Sequence, residues 1–340
     1  GGMRAKARRE LLLNLELGLV DVVVGTHALL EEDVRFANLS LTVTDEQHRF
    51  GVEQRARLSN KSENAPDVLV MTATPIPRTL ALTVYGDLDI SVMKGRPPQR
   101  KPVRTLCYTD ERRREVYAGL VRQVQAGRQA YVVCPLIEES DVLAVHSAER
   151  VYEELQRDFL QDIPCALLHG RLKGAEKDAI MSRFAAGELK VLVSTTVIEV
   201  GVNVPNATLM VIENAERFGL AQLHQLRGRV GRGSEQSYCV LLTAADSPEA
   251  LARLNVLHES EDGFYLAEKD MEQRGAGQLF GLKQHGLPDL RIADIMRDVD
   301  VIAQVRQLAQ AQLRTPEDWA EIRRLVEMQF GERFNMIFNT

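Results

Sequence analysis

Two adjacent acidic residues, Asp45 and Glu46, have side chains suited to phosphoryl-transfer chemistry. They follow the apolar run 41–43, and ligands of open α/β sheets bind at the carboxyl ends of strands. Hydrolysis of a nucleoside triphosphate needs Mg²⁺ to neutralise the phosphates and a carboxylate to activate the attacking water. We predict that Asp45 holds Mg²⁺ through water and that Glu46 is the base, although an isolated acid pair after a strand is more often a solvated loop.

A second candidate group is the arginine pair Arg229 and Arg232, three residues apart in a segment punctuated by Gly228 and Gly231. The planar guanidinium fork stabilises negative charge on a transferring phosphate. A bare Arg-x-x-Arg pair is typical of a surface helix with salt-bridged arginines. The fuller pattern, which begins at Gln225, favours a phosphate sensor instead.

Polar side chains that follow apolar runs form a third group, suited to contacts with phosphodiester oxygens. Taken singly, each is a common turn or cap residue. An aromatic share of only 5% gives no sign of base-stacking platforms, so tracking of a nucleic-acid backbone is favoured over reading of its sequence. The group comprises Thr26, His27, His48, Thr72, Thr74, Thr195 and Thr196.

These residues are distributed over an α/β pattern of short apolar runs separated by helical stretches. The first predicted domain, residues 1–95, contains three predicted strands, at 22–24, 41–44 and 68–71. Three strands make a thin sheet, so we expect a truncated domain with an exposed sheet edge. A stretch rich in proline and arginine, 86–103, is predicted to be an extended, solvated linker.

The second predicted domain, residues 96–245, is expected to hold a complete parallel sheet. Its apolar runs alternate with helical stripes, which implies right-handed crossovers between parallel strands. The predicted strands lie at 105–108, 130–134, 166–168, 191–194, 209–212 and 238–242. Residues 246–340 change to a helical pattern that includes a helix start at 315–318.

Composition limits the class of protein. A length of 340 residues suggests two or three domains, and 45% apolar with 26% charged residues is ordinary for a soluble globular protein. A net charge of −6 argues against a histone-like basic binder but is compatible with a local basic stripe. No apolar stretch approaches the roughly 20 residues that span a bilayer, and the N-terminus lacks a signal-peptide core. We therefore expect a cytoplasmic protein with no membrane partner.

The four cysteines lie in strand-like apolar runs without metal-ligand spacing; they are Cys107, Cys134, Cys165 and Cys239. This distribution predicts buried free thiols in a reducing compartment. The seven histidines are scattered and indicate no metal site.

Four segments together resemble the RecG family of branch-migration DNA helicases, over nearly the whole chain. They are residues 24–29, 45–55, 72–79 and 222–232. The resemblance implies two RecA-like P-loop-type motor domains, the first truncated, followed by a C-terminal helical hairpin and tail region. Gln47 favours this family over the related transcription-repair coupling factor Mfd, whose second motif usually reads Asp-Glu-Glu-His.

The resemblance also implies cofactors. ATP and Mg²⁺ are expected, with Gln225, Gly201 and Asn203 among the nucleotide-binding residues. Position 203 is Asn where related motors often carry Asp, and because Asn still offers a carbonyl acceptor we expect a modest effect on nucleotide coupling.

The resemblance further implies a translocation motif and partners. Arg274, Gln278 and Gln284 match the family's translocation motif, a helical hairpin and loop that convert domain closure into movement along duplex DNA. The expected partners are branched double-stranded DNA, such as forks and Holliday junctions, and the N-terminal wedge region of the same protein. That region and the Gly-rich phosphate loop are expected to lie outside this sequence, in which no Gly-Lys dipeptide occurs.

The leading hypothesis is therefore an ATP-dependent double-stranded DNA translocase that remodels stalled forks and Holliday junctions in repair and recombination. In the intact protein Asp45 and Glu46 would face Arg229 and Arg232 across a cleft, and we expect no appreciable ATPase from this chain alone. Two alternatives stay open on the sequence: an Mfd-like transcription-repair coupling translocase, and a non-catalytic module that binds DNA.

Overall fold

The computed structural model describes residues 3–31, 33–45, 66–72, 89, 91–93, 95, 100–135, 141–196, 203–244, 248–274, 298–312 and 319–330. The chain divides into two compact units. The first unit comprises Gly1–Thr74 and Val305–Thr340, and the second unit comprises Pro75–Gln304. The predicted division into three domains stays a prediction.

The first unit contains a short parallel sheet. Its N-terminal elements are helix α1 (Ala5–Glu16), a 3-10 turn (His27–Leu30) and the paired strands β1 (Leu41–Thr44) and β2 (Asp67–Val70). Along β1 the burial alternates as a pleated strand requires: Thr42 and Thr44 are buried, whereas Leu41 and Val43 are 55% and 54% exposed. Both predicted strands at 41–44 and 68–71 are thus confirmed, the second one residue earlier than expected.

The strand predicted at 22–24 is wrong. Residues 22–25 form no strand, and the Val22 and Val24 side chains are 80% and 92% exposed. An apolar run becomes a strand only when a neighbouring strand satisfies its backbone groups and other side chains cover it. No such neighbour accompanies this run in the part of the first unit that the structure describes.

The second unit is built on a parallel sheet of six strands in the order β3-β8-β7-β4-β6-β5. The strands are β3 (Arg104–Thr109), β4 (Gln129–Val133), β5 (Cys165–Leu168), β6 (Val191–Ser194), β7 (Ala207–Ile212) and β8 (Tyr238–Thr243). The helices are α2 (Arg113–Gln125), α3 (Asp141–Asp158), α4 (Gly174–Ala185), α5 (Leu220–Arg227), α6 (Pro248–Glu259) and α7 (Gly263–Arg274). All six predicted strands and their parallel direction are confirmed.

Both faces of this sheet are buried, which is why its strands are almost continuously apolar. In β7, Leu209 and Val211 join the core under α2 and α3, whereas Met210 and Ile212 join the core under α4, α5 and α6. Successive residues of a strand point to opposite faces, so one apolar run supplies both cores. Helices therefore cover both faces of the sheet.

A buried polar network fastens α2 and α3 to the carboxyl end of β7. The Tyr117 hydroxyl donates a 2.6 Å hydrogen bond to Glu213, and Arg113 lies 3.3 Å from Glu213 and 3.3 Å from Glu154. Burial raises the pKa of the Glu213 carboxyl, and the Arg113 cation opposes that rise. Because a buried carboxylate is costly without partners, each donor is needed for the network to be stable.

The cysteines are all free thiols. Cys134 and Cys239 are buried, and Cys107 and Cys165 are partly buried. Burial raises the pKa of Cys107 to about 11 and that of Cys239 to about 12, so these two thiols stay protonated and unreactive near neutral pH.

Two helices follow in the C-terminal part, α8 (Val299–Gln312) and α9 (Trp319–Phe330). The helix start predicted at 315–318 lies outside the described residues, whereas the helical pattern predicted after it is confirmed by α9. None of the described helices is both long enough and apolar enough to cross a membrane.

The Tyr117→Phe variant tests the buried network. Removal of the hydroxyl leaves one oxygen of the buried Glu213 carboxylate without its donor, and we expect the free energy of unfolding to fall by about 1–2 kcal/mol. Urea titration followed by circular dichroism measures it. Tyr238→Phe, at a partly buried tyrosine that begins β8, is the control and is expected to change stability by less than about 0.5 kcal/mol. Equal losses in both variants would contradict a specific role for the hydroxyl.

Candidate nucleotide and nucleic-acid site

Helix α5 positions the predicted arginine pair. Its apolar face is formed by Leu220, Leu223 and Leu226, which are fully buried beneath the sheet. At its first turn the Asp270 carboxylate accepts a hydrogen bond from the Leu220 backbone N–H (3.4 Å), where a negative charge also favours the helix dipole. The helix ends at Arg227, and the arginine pair follows directly in the turn. These contacts fix both the axis and the end point of the helix.

Arg227 is a structural residue rather than a phosphate ligand. It is 3% exposed, and its Nη1 atom donates to the carbonyl oxygens of Leu257 (2.8 Å) and Ser260 (2.9 Å). Its Nη2 atom lies 3.0 Å from His224 Nδ1. The guanidinium therefore satisfies the last carbonyls around the end of α6, which have no partner within the helix. It joins α5 to α6 inside the protein.

Arg229 and Arg232 form a pair of like charges in the turn after α5. Both are partly buried, and Arg232 Nη1 lies 3.4 Å from Asn203 Oδ1. Burial and the positive charge of Arg229 lower the pKa of Arg232. Within the described residues no carboxylate forms an ion pair with either guanidinium. Two partly desolvated cations without a carboxylate attract an anion, and a guanidinium fork suits phosphate.

One of the two interpretations of the Arg-x-x-Arg spacing does not fit this arrangement. Both arginines follow the helix and neither pairs with a described acid, which differs from a surface helix with salt-bridged arginines, while the phosphate sensor stays a prediction. Gly231 has φ +75°, a conformation that L side chains rarely adopt, so the turn between the arginines depends on glycine. Gln225, predicted to bind nucleotide, lies on α5 and is partly buried.

The carboxyl edge of β5 and β6 carries a second group of polar residues. Thr195 is 1% exposed, with its hydroxyl buried and without a hydrogen-bond partner, whereas Thr196 is only partly buried. His169, directly after β5, also has a buried nitrogen, Nδ1, without a partner. Because β5 and β6 pair in parallel, both orphaned groups lie at one edge of the sheet.

Sequence reasoning missed the loop that follows β5. Arg171 and Lys173 are exposed there, immediately before α4, and Lys177 Nζ donates to the Gly170 carbonyl (2.7 Å). The same signal that selected the threonines, polar residues directly after an apolar strand, applies to this loop. Two exposed cations at a helix N-terminus are well placed for contacts with phosphate groups.

In the first unit the structure brings two predicted residues to one sheet edge. Asp45 is exposed immediately after β1, and Thr72 is exposed just beyond β2, where the parallel strands end together. Thr26 is exposed before the 3-10 turn, and His27 is described by its backbone alone.

The remaining predicted residues are not tested by these contacts. Arg274 ends α7, with its side chain outside the description. Glu46, His48, Thr74, Gly201, Gln278 and Gln284 lie outside the described residues.

The comparisons with known proteins identify helicase domains in this α/β chain. Residues 112–234 match the family model of the helicase conserved C-terminal domain, and residues 1–83 match that of the DEAD/DEAH box helicases. A structure of Mss116p bound to ssRNA and AMP-PNP, 16% identical with a TM-score of 0.55 over 76% of this chain and 55% of that one, shares the fold alone.

More specific likenesses identify the family. Residues 260–329 match domain 3, C-terminal, of the ATP-dependent DNA helicase RecG. The RecG helicase of Bacillus subtilis is 50% identical over 319 residues, covering 94% of this chain and 47% of the relative. That of Thermotoga maritima is 50% identical over 307 residues, covering 90% and 39%. A structure of RecG bound to a three-way DNA junction is 47% identical with a TM-score of 0.69, covering 89% and 38%.

The chain belongs to the RecG family, as the sequence segments predicted. It spans about half the length of the Bacillus subtilis relative, and less of the Thermotoga maritima one.

Because His224 is neutral in the folded protein, we expect the free energy of unfolding to depend on pH. Burial, aided by the Arg227 cation, lowers the pKa of His224 from 6.5 to about 4. Between these values the unfolded chain binds a proton that the folded chain does not, so stability is complete above 6.5 and decreases as the pH falls toward 4. The loss from this group is at most about 3 kcal/mol.

Urea titrations between pH 7 and pH 4.5 measure this effect in the wild type and in the His224→Gln variant. The variant is expected to lose less stability over that range, because the titrating ring is gone. His146→Gln, at an exposed histidine on α3, is the control and should follow the wild type. If the free energy of unfolding falls equally with pH in the wild type and in His224→Gln, His224 is not the group responsible.

Proposed function

We propose that this chain is part of an ATP-dependent double-stranded DNA translocase that remodels stalled replication forks and Holliday junctions in repair and recombination. In this proposal Arg229 and Arg232 bind the γ-phosphate and stabilise the charge that develops on it during hydrolysis. The observation that carries the proposal is the partly buried pair of like charges, which has no carboxylate partner among the described residues. Membership of a family whose relatives are called ATP-dependent DNA helicases supports it.

Asn203 supports the assignment of Arg232. Its amide oxygen accepts from Arg232 Nη1 (3.4 Å) without adding a negative charge. The guanidinium is thereby oriented while its cation stays available to an anion. A carboxylate at this position would pair with Arg232 and compete with phosphate for it.

We propose Asp45 as the residue that would hold Mg²⁺ and Glu46 as the base that activates water. The exposed Asp45 carboxylate at the end of β1 supplies the hard oxygen ligand that Mg²⁺ prefers, commonly through its waters. Bound Mg²⁺ would neutralise phosphate charge. The role of this chain's own residues is to orient the phosphates and to accept the proton of the attacking water.

For DNA, we propose that Thr196, Arg171 and Lys173 contact the phosphodiester backbone. All three are accessible at the carboxyl edge of β5 and β6, whereas the hydroxyl of Thr195 is enclosed. Such contacts position a duplex without reading its sequence. Branched DNA as the substrate is supported by the relative that was solved on a three-way junction.

The arginine roles are tested in a chimera that joins this chain to the part of the Bacillus subtilis relative that it does not match. DNA-stimulated ATP turnover is expected from the chimera and not from this chain alone. Arg229→Gln and Arg232→Gln are each expected to lower kcat about 100-fold, because each removes a cation that faces the transferring phosphate. Arg217→Gln, at an exposed arginine before α5, is the matched control.

Two outcomes would contradict this proposal. Unchanged kcat in both variants would remove the arginine pair from the site. Full turnover by this chain alone would mean that the phosphate-binding elements lie within it, against the expectation from the missing Gly-Lys dipeptide.

The DNA contacts are tested by the salt dependence of duplex binding without nucleotide. The double variant Arg171→Ala with Lys173→Ala is expected to weaken binding and to reduce the slope of log affinity against log salt by about 2, since each phosphate contact contributes about 1. Arg122→Ala with Arg150→Ala removes the same charge from exposed positions on α2 and α3 and is the control. An equal change of slope in both double variants would contradict a specific backbone contact.

A further inference from the structure

The end of the predicted linker is bound to the arginine turn. Arg100 Nε donates a 2.8 Å hydrogen bond to the Gly231 carbonyl oxygen, across 131 residues of chain, and the side chain is partly buried. The sequence predicted a solvated connector at 86–103. Its last residues are instead packed against the arginine turn and the start of β8 within the second unit, because their polar groups find fixed partners there.

Neighbouring contacts hold the same segment in place. Gln236 Nε2 donates to the Pro102 carbonyl (2.8 Å), and the Arg104 N–H donates to the Ser237 carbonyl (2.9 Å). The Val103 side chain occupies the space beside Gly231, where an added Cβ would lie 2.7 Å from it. From residue 100 onward the segment thus runs along the backbone from Gly231 into β8, and Arg100 is the anchor at the start of this described stretch.

The hydrogen bond from Arg100 is important because the Gly231 carbonyl lies within the arginine turn. Gly231 lies between Arg229 and Arg232, and its φ of +75° shapes the turn that presents both side chains. Two partly desolvated like charges repel each other, so the turn tends to open unless its backbone is held. A hydrogen bond from a cation is stronger than a neutral one and suits this task.

We propose that Arg100 is a positioning residue for the phosphate-binding arginines. It acts through the Gly231 carbonyl and does not itself contact the nucleotide. It therefore sets the geometry of Arg229 and Arg232 for the transition state, where a small misplacement of the stabilising groups costs rate. This inference rests on the proposed function of the arginine pair.

The first test is structural and needs no activity. Hydrogen–deuterium exchange of this chain, read by mass spectrometry over residues 228–236, is compared between the wild type, Arg100→Met and Lys101→Met. Arg100→Met keeps the length of the side chain but removes the donor, so faster exchange is expected in this segment only. Lys101→Met removes the same charge from the exposed neighbouring residue and should leave exchange unchanged.

The second test is kinetic and uses the chimera described above. Arg100→Met is expected to lower kcat about tenfold while the KM for ATP changes less than about threefold, because the anchor orients the pair without binding substrate. Arg100→Gln, a neutral side chain that can still donate to the carbonyl, is expected to recover part of kcat. A role of charge alone predicts that Arg100→Gln and Arg100→Met behave alike.

The outcomes separate this inference from the function on which it rests. Unchanged exchange in residues 228–236 of Arg100→Met overturns the anchor. Faster exchange throughout the second unit also overturns it, because the residue is then merely structural. Suppose instead that Arg100→Met exchanges faster only in residues 228–236 but has an unaltered kcat in a chimera that turns over ATP. That result overturns the proposed effect of Arg100 on catalysis. A chimera without turnover refutes the proposed function, while the exchange comparison still decides whether Arg100 holds the turn.

Discussion

The candidate site depends on the hydrogen bonds that the buried Arg227 guanidinium donates to the end of α6. A cation that is 3% exposed is tolerated because it satisfies the carbonyls of Leu257 and Ser260, the polar ends of an otherwise apolar core. Loss of the guanidinium would leave these buried carbonyls without a donor, and displacement of the carbonyls would leave a buried cation without acceptors. Either change costs more than the hydrogen bonds themselves contribute. The interaction fixes α5 against α6, and α5 in turn fixes the point at which the arginine turn begins.

Three arginines in one short motif consequently have different physical roles. Arg227 is enclosed and hydrogen-bonded to carbonyl groups, whereas Arg229 and Arg232 are partly buried, and the positive charge of Arg229 disfavours that of Arg232. An arrangement of this kind is unfavourable in isolation and persists because the surrounding structure over-determines it. The Gly231 turn and the Arg100 hydrogen bond supply that support. In the proposed function, this support organises the arginine pair for an anion before one binds.

How clearly the sequence predicts a strand depends on how fully that strand is buried. The six strands of the second unit lie between two layers of helices, so each is an uninterrupted apolar run and each could be predicted. The run 22–24 has the same composition, yet Val22 and Val24 are exposed to solvent, because no neighbouring strand pairs with the run among the described residues of the first unit. Apolar composition indicates the capacity to form a strand, while pairing and covering decide whether one forms.

The sequence by itself determined the α/β class, the parallel sheet of the second unit, the arginine pair and membership of the RecG family, because strand periodicity and motif spacing are local properties. Only the tertiary structure separated Arg227 from its two neighbours, drew Arg100 to Gly231, and brought the loop with Arg171 and Lys173 to the same sheet edge as Thr196. These relations join residues tens to more than 100 positions apart. Their strength depends on burial and on distances between atoms, which residue spacing does not encode.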